Sequence, residues 1–263
     1  DMDCVEALVK DEAVKGIWCV PLYSNPDGYS YSDETVRRLA AMKTAAPDFK
    51  IMWDNAYCVH HLTDTHDVIL NMLEECRKAG HEDRALMFCS LSKVTFPGAG
   101  VAAMAASRRN IDYILKNMFP MIISFDKLNQ VRHIRFLKDM DGLAAHMEKH
   151  RALLEPKFRA VLAILDEGLS GCGSIARWTK PNGGYFLSLY TLGGCAKRTV
   201  QLCREAGVVL TDAGAAYPYG VDPQDSNIRI APTFPPLDEL ETASRLLCVC
   251  VRIATLEKLL QRQ

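Results

Sequence analysis

The sequence predicts an α/β protein with a mainly parallel sheet in its first half and a smaller α/β layer in its second. Three apolar runs, at 16–23, 49–53 and 85–89, alternate with helix-patterned segments, and each run ends in polar turn residues. Strand, helix, strand, helix, strand is the grammar of a parallel sheet, because parallel neighbours need crossover connections that helices supply. Past Gly171-Cys172-Gly173 the character changes, with a strand at 185–189 and short strands at 208–210 and 228–230 among helical segments, which marks the second layer.

The chain opens at Asp1 on an amphipathic helix-like segment carrying Met2, Val5, Leu8 and Val9. Residues 16–23 are nearly continuous in apolar and aromatic side chains, as a strand buried on both faces requires. Ser24-Asn25-Pro26-Asp27-Gly28 is a turn by composition: Asn bonds its own backbone, Pro presets φ, and Gly tolerates positive φ. Ser32 caps a helix through about Thr44, with Val36, Leu39 and Ala40 on one face. The strand at 49–53 ends in Asp54-Asn55-Ala56-Tyr57, and a helix carrying Val68, Met72, Leu73 and Cys76 ends near Gly80. The strand at 85–89 runs into Ser90-Leu91-Ser92-Lys93, followed by a small, glycine-rich stretch at 94–102 suited to close packing. Helices are predicted at 110–118 and 126–139, with a long one at 142–167. The second layer has a strand at 185–189, a helix at 195–206, short strands at 208–210 and 228–230, and a long closing helix at 237–260. The predicted division is therefore 1–141 and 142–263.

Composition narrows the class of partner. Of 263 residues 49% are hydrophobic and 24% charged, an ordinary globular balance with room for one large core or two smaller ones. A net charge of −1 supplies no field to attract nucleic acid or an anionic membrane, and no apolar stretch reaches the roughly 20 residues of a membrane span. Neither partner is expected, and no signal-peptide pattern is visible. The ten cysteines show no Cys-x-x-Cys spacing and several fall inside apolar runs, so reduced thiols and a cytoplasmic location are expected. His60, His61 and His66 lack a completing thiol or carboxylate pattern and read as surface or packing residues, with no metal expected. Arg108-Arg109 and the group Lys127, Arg132 and Arg135 read as solvated helix faces.

Ligands in open α/β sheets sit beyond the carboxyl ends of the strands. Three successive strand ends here present Asn25, then Asp54 with Tyr57, then Ser90, Ser92 and Lys93. A lysine just past a strand end can form a Schiff base with a carbonyl cofactor, while neighbouring hydroxyls hold a phosphate. Taken singly, each has a plainer reading: a turn, a helix cap, a satisfied loop, a solvated lysine.

In order, Asn25-Pro26-x-Gly28, Asp54-x-Ala56-Tyr57, Ser90-x-Ser92-Lys93 and Asn227-x-Arg229 resemble the motifs of fold-type-I pyridoxal-phosphate enzymes, class I/II aminotransferases. The wording around them, Val20-Pro21-Leu22-Tyr23-Ser24-Asn25-Pro26, Trp53-Asp54-Asn55-Ala56-Tyr57 and Asn227-Ile228-Arg229-Ile230-Ala231-Pro232-Thr233, resembles subgroup Ic aspartate aminotransferases, which are related to the aminotransferase domain of MocR-type regulators. The resemblance covers essentially the whole chain. It implies the PLP-dependent transferase fold, with 1–141 as part of the large cofactor-binding domain and 142–263 as the interdomain helix and small α/β domain. It implies pyridoxal 5'-phosphate as cofactor, with Lys93 forming the internal aldimine and then acting as the base that moves the substrate Cα proton. Asp54 would pair with the pyridine nitrogen, Tyr57 and Asn25 would bond the phenolic oxygen, and Ser90 and Ser92 would hold phosphate. Arg229, with Asn25 beside it, would grip the substrate α-carboxylate as a bidentate fork. Substrates would be aspartate or another amino acid with 2-oxoglutarate, exchanged through a pyridoxamine intermediate in a homodimer. Lys127, Arg132 or Arg135 is a candidate for the second carboxylate or for a partner subunit's cofactor. The same cofactor site would also serve a β-lyase or decarboxylase, or a non-catalytic effector domain of a MocR-type regulator.

Two departures accompany the resemblance. Many class I/II enzymes carry an arginine eight positions beyond the lysine, where this chain has Val101. Family members also have an N-terminal section ahead of the point matching Asp1, which brings a glycine-rich phosphate loop and a stacking aromatic ring. The chain is accordingly expected to be an N-terminally truncated fragment.

Overall fold

The structure, a computed structural model, describes residues 1–261 as two compact units. The first comprises Asp1–Leu22, Ser30–Val59 and Asp67–Met147; the second comprises Tyr23–Tyr29, His60–His66 and Glu148–Gln263, described to residue 261.

The first unit is built on a four-stranded sheet in the order β1 (Gly16–Cys19), β2 (Lys50–Asp54), β3 (Ala85–Ser90), β4 (Ala102–Ala106). The pairs β1–β2 and β2–β3 are parallel and β3–β4 is antiparallel. The strand at the chain's start is shorter than its apolar run suggests: the ladder stops at Cys19, just before Pro21, which has no N–H to contribute. Tyr23 then takes a positive φ of 52° and belongs to the second unit.

Helices α1 (Met2–Leu8), α2 (Asp33–Ala41) and α3 (Met72–Lys78) belong to this unit. Ser32 caps α2 as expected, its Oγ accepting from Thr35 N at 3.1 Å. Residues on one face of β2 recur every second position, and Ile51 and Trp53 are both buried in a core with Val36, Leu39, Met72 and Cys76. Full burial of each such side chain is worth about 1.5–3 kcal/mol. The carbonyls at the end of α2 are met by a buried arginine: Arg84 Nη1 donates to Ala40 O at 2.9 Å and to Met42 O at 2.8 Å.

Helix α3 starts later than its periodicity predicts. Asn71 caps it by accepting from Leu73 N and Glu74 N, so Val68 lies outside and is exposed. Helices α4 (Arg108–Met118) and α5 (Lys127–Leu137) follow, capped by Ser107 and Asp126. Then comes the long α6 (Met140–Leu169), within which the division between units falls.

The second unit carries an antiparallel sheet, β5 (Ala176–Trp178), β6 (Leu187–Thr191) and β7 (Asn227–Ile230), with helices α7 (Ala196–Glu205) and α8 (Leu237–Leu260). Leu187, Leu189, Ile228 and Ile230 bury one face of the sheet. They pack into a core with Phe158, Val161, Leu165 and Leu169 from α6, Val200 and Cys203 from α7, and Leu247 and Val251 from α8. Residues 208–210, predicted as a strand, lie outside the sheets. All ten cysteines are free thiols, and among the described residues no helix is long and apolar enough to cross a membrane.

Candidate active site

The site residues expected from the sequence divide between the units. Asp54, Tyr57, Ser90, Ser92 and Lys93 lie in the first unit; Asn25 and Arg229 lie in the second.

In the first unit, Asp54 is the last residue of β2 and pairs in register with Phe88 of β3, while Asn55 N donates to Phe88 O at 2.8 Å. Ser90 is the last residue of β3. Because β2 and β3 are parallel, the Asp54 carboxylate and the Ser90 turn share one sheet edge. Ser90 Oγ accepts from Ser92 N at 3.1 Å and donates to Ser92 Oγ at 2.9 Å. That arrangement leaves the Ser92 hydroxyl proton for an outside acceptor. Lys93 is exposed, and its Nζ stands 5.2 Å from the ring centroid of the buried Tyr57.

The turn is held from behind. Val94 is buried and its carbonyl accepts from His146 Nε2 at 2.7 Å. Leu91 N donates to Val101 O at 2.8 Å, so the position where related enzymes were expected to carry arginine here contributes a backbone carbonyl. Two buried polar residues of α5 reach the same loop. Asn129 Nδ2 donates to Ala99 O at 2.6 Å, and His133 Nε2 lies 2.7 Å from Thr95 Oγ1. Gly100 presses on Ser92: a Cβ there would sit 2.4 Å from Ser92 Oγ and 3.1 Å from its backbone nitrogen. Only glycine lets the loop close over this pair of hydroxyls without displacing one of them.

In the second unit, Arg229 on β7 donates from Nη1 to Asn25 Oδ1 at 3.1 Å, and its guanidinium carbon lies 4.9 Å from the Phe186 ring centroid. Arg229 Nε is buried with no protein partner, a donor still to be used. Tyr190 Oη donates to Asp27 Oδ1 at 2.6 Å, and burial together with that bond pushes the phenol's pKa up. Asp222 lies near the start of β7 and accepts from Ser226 N and Asn227 N. Its burial opposes ionisation, but these backbone N–H bonds outweigh that and hold its pKa below the usual carboxylate value.

His61 stacks on His66 at 3.7 Å and shares a 2.8 Å hydrogen bond with Tyr23, while His60 packs edge-on against Tyr185. Among the described residues no group of three or more potential ligands could hold a metal ion. Gly100 lies in the glycine-rich stretch that the sequence marks for close packing, whereas sequence reasoning missed Asn129, His133, Phe186 and Tyr190. The first two carry a faint signal, polar residues on the face that an amphipathic α5 would turn inward; the others carry none that is local.

The residues present fit a phosphorylated carbonyl cofactor. A primary amine, a carboxylate, a phenol and a pair of hydroxyls with one proton to give lie on consecutive strand-end turns, and a glycine cradle keeps the hydroxyls in place.

A family model described as aspartate amino-transferase matches residues 1–263. A relative from Mycolicibacterium smegmatis with an aminotransferase name is 50% identical over 99% of this chain and 61% of its own length. The aspartate aminotransferase of Corynebacterium glutamicum is 45% identical over 98% of this chain and 59% of its own. A solved structure of an aspartate transaminase from the same organism superposes with a TM-score of 0.95 at 44% identity, covering 98% of this chain and 61% of that one. LysN, an α-aminoadipate aminotransferase of Thermus thermophilus, shares the fold with a TM-score of 0.78 at 21% identity, over 97% of this chain and 63% of that one. The chain thus spans about three fifths of the length of the relatives it matches.

Proposed function

The chain belongs to the aspartate amino-transferase family, and from that premise we propose that it serves amino-group exchange between an amino acid and a 2-oxo acid, with pyridoxal 5'-phosphate held at Lys93. Aspartate with 2-oxoglutarate is the proposed substrate pair, and a homodimer the proposed assembly of the whole protein. What supports the reading most is the carboxyl edge of the first unit's parallel sheet, where Asp54 ends β2 and Ser90-Leu91-Ser92-Lys93 ends β3.

When bound, the cofactor supplies an aldehyde for the amine and an electron-withdrawing ring. The chain's own groups do the rest. Lys93 would hold the cofactor through its side-chain amine and, as a base, would move the proton from the substrate's Cα to the cofactor's C4′ carbon. The Asp54 carboxylate holds a proton on the ring nitrogen and so keeps the ring electron-poor. Ser92, oriented by Ser90, donates to phosphate, and Tyr57 and Asn25 donate toward the ring oxygen. Arg229 takes the α-carboxylate, presenting the fork that a lysine in its place could not reproduce.

The protein loaded with pyridoxal phosphate and supplied with aspartate and 2-oxoglutarate is expected to form oxaloacetate and glutamate in equal amounts. Release of carbon dioxide or ammonia from the amino acid instead would point to a decarboxylase or lyase. Binding of amino acids with no product at all would point to an effector domain.

A further inference from the structure

Strands β6 and β7 pair so that Ser188 stands opposite Arg229 and Tyr190 opposite Asn227. Side chains alternate along a strand, so these four share one face, the reverse of the face that Leu187, Leu189, Ile228 and Ile230 bury. The turn from Asn25 to Gly28 meets that face in matching order. Arg229 donates to Asn25 Oδ1 at 3.1 Å, Ser188 Oγ donates to the Pro26 carbonyl at 3.4 Å, and Tyr190 Oη donates to Asp27 Oδ1 at 2.6 Å. Asn25 and Pro26 therefore sit over one rung, Ser188–Arg229, and Asp27 over the next rung on that face, Tyr190–Asn227.

The three contacts are unequal. The Ser188 contact is long and weak, whereas a phenol on a carboxylate at 2.6 Å has the length of a charge-assisted bond. Tyr190 is itself held, since Arg177, its register partner on β5, places its guanidinium carbon 3.8 Å from the Tyr190 ring centroid. The turn is seated closely as well. Gly28 has φ +71°, and a Cβ there would lie 2.5 Å from Pro181 Cβ. Asn25, by contrast, is exposed, and its carboxamide provides the hydrogen bond that orients the Arg229 guanidinium.

We propose that Tyr190 is a positioning residue for the carboxylate grip: its bond to Asp27 fixes the turn, the turn fixes Asn25, and Asn25 sets the plane of the Arg229 fork. The proposal rests on the reading of Arg229 as carboxylate anchor and deepens it. A fork is effective only while its two donors stay aligned with the two oxygens, so loss of the clamp costs alignment before it costs stability.

The test compares Tyr190→Phe with Arg229→Lys in the cofactor-loaded protein, using succinate as a probe that carries the carboxylates and lacks the amine. Two readouts are taken: the succinate dissociation constant, and the mobility of the Arg229 Nε–H group by nitrogen relaxation. Tyr190→Phe is expected to weaken succinate by about three- to tenfold, the scale of one lost hydrogen bond, and to raise Arg229 mobility, with the melting temperature nearly unchanged. Asp27→Ala, which removes the other end of the bond, should do the same and stands in if the phenylalanine variant does not fold. Unchanged affinity and unchanged mobility would overturn the clamp. If Arg229→Lys binds succinate as well as the parent, the anchor reading fails instead, and the mobility of Arg229 in Tyr190→Phe still decides whether the clamp exists.

Discussion

Replacement of Lys93 by alanine is expected to lower amino-group exchange by about 10⁴-fold or more, since on the proposed reading one side chain supplies both the amine that holds the cofactor and the base that moves the proton. Lys93→Arg should be as inactive: it keeps the positive charge, but a guanidinium neither condenses readily with an aldehyde nor gives up its proton near neutral pH. The fold should survive both changes. Lys93 is exposed, while the turn around it is secured by buried Val94, by the Leu91–Val101 backbone bond and by Asn129 and His133 from α5. Steady-state turnover beside a thermal melt checks this. Turnover of Lys93→Ala within tenfold of the parent would remove Lys93 from the chemistry.

Asp54→Ala is expected to cost about 10³-fold in turnover, the upper scale for losing one preorganised electrostatic partner. The cofactor should still attach at Lys93, because the role proposed for Asp54 is on the ring's electronics and not on the amine. Asp54→Asn, nearly the same size but without charge, should resemble alanine, whereas Asp54→Glu should recover part of the rate. Steady-state rates for the three variants, with cofactor content measured in each, separate a charge effect from a packing effect. Equal rates for parent and Asp54→Asn would show that the carboxylate's charge does nothing.

What could be read in the sequence was what is local. The strands at 49–53 and 85–89, the Ser32 cap and the long closing helix follow from apolar periodicity and capping chemistry within a few residues of each other. Turns at strand ends are equally local, which is why Asp54, Tyr57, Ser90, Ser92 and Lys93 could be singled out as a group. β4 escaped notice because Ala102-Ala103-Met104-Ala105-Ala106 has little β-propensity and forms by pairing with β3. β5 has three residues, too few to show alternation, and is defined by its partner β6. At 208–210 the apolar run looked like a strand, yet ladder hydrogen bonds need a neighbour at the right distance, which no short run encodes. The start of α3 shifted because Asn71 competes as a cap with the periodicity that would include Val68. Least legible was the Tyr190–Asp27 bond, which joins residues 163 positions apart and depends on how β6 meets a turn from the chain's start. The placing of Tyr23–Tyr29 and His60–His66 with the second unit is of the same kind.

The most direct test of the central claim is to load the protein with pyridoxal phosphate, treat it with borohydride and map the peptides by mass. One phosphopyridoxyl group is expected, fixed to the Lys93 side chain and absent from Lys93→Ala. A label spread over other lysines, or none on the peptide that carries Ser90-Leu91-Ser92-Lys93, would contradict the claim.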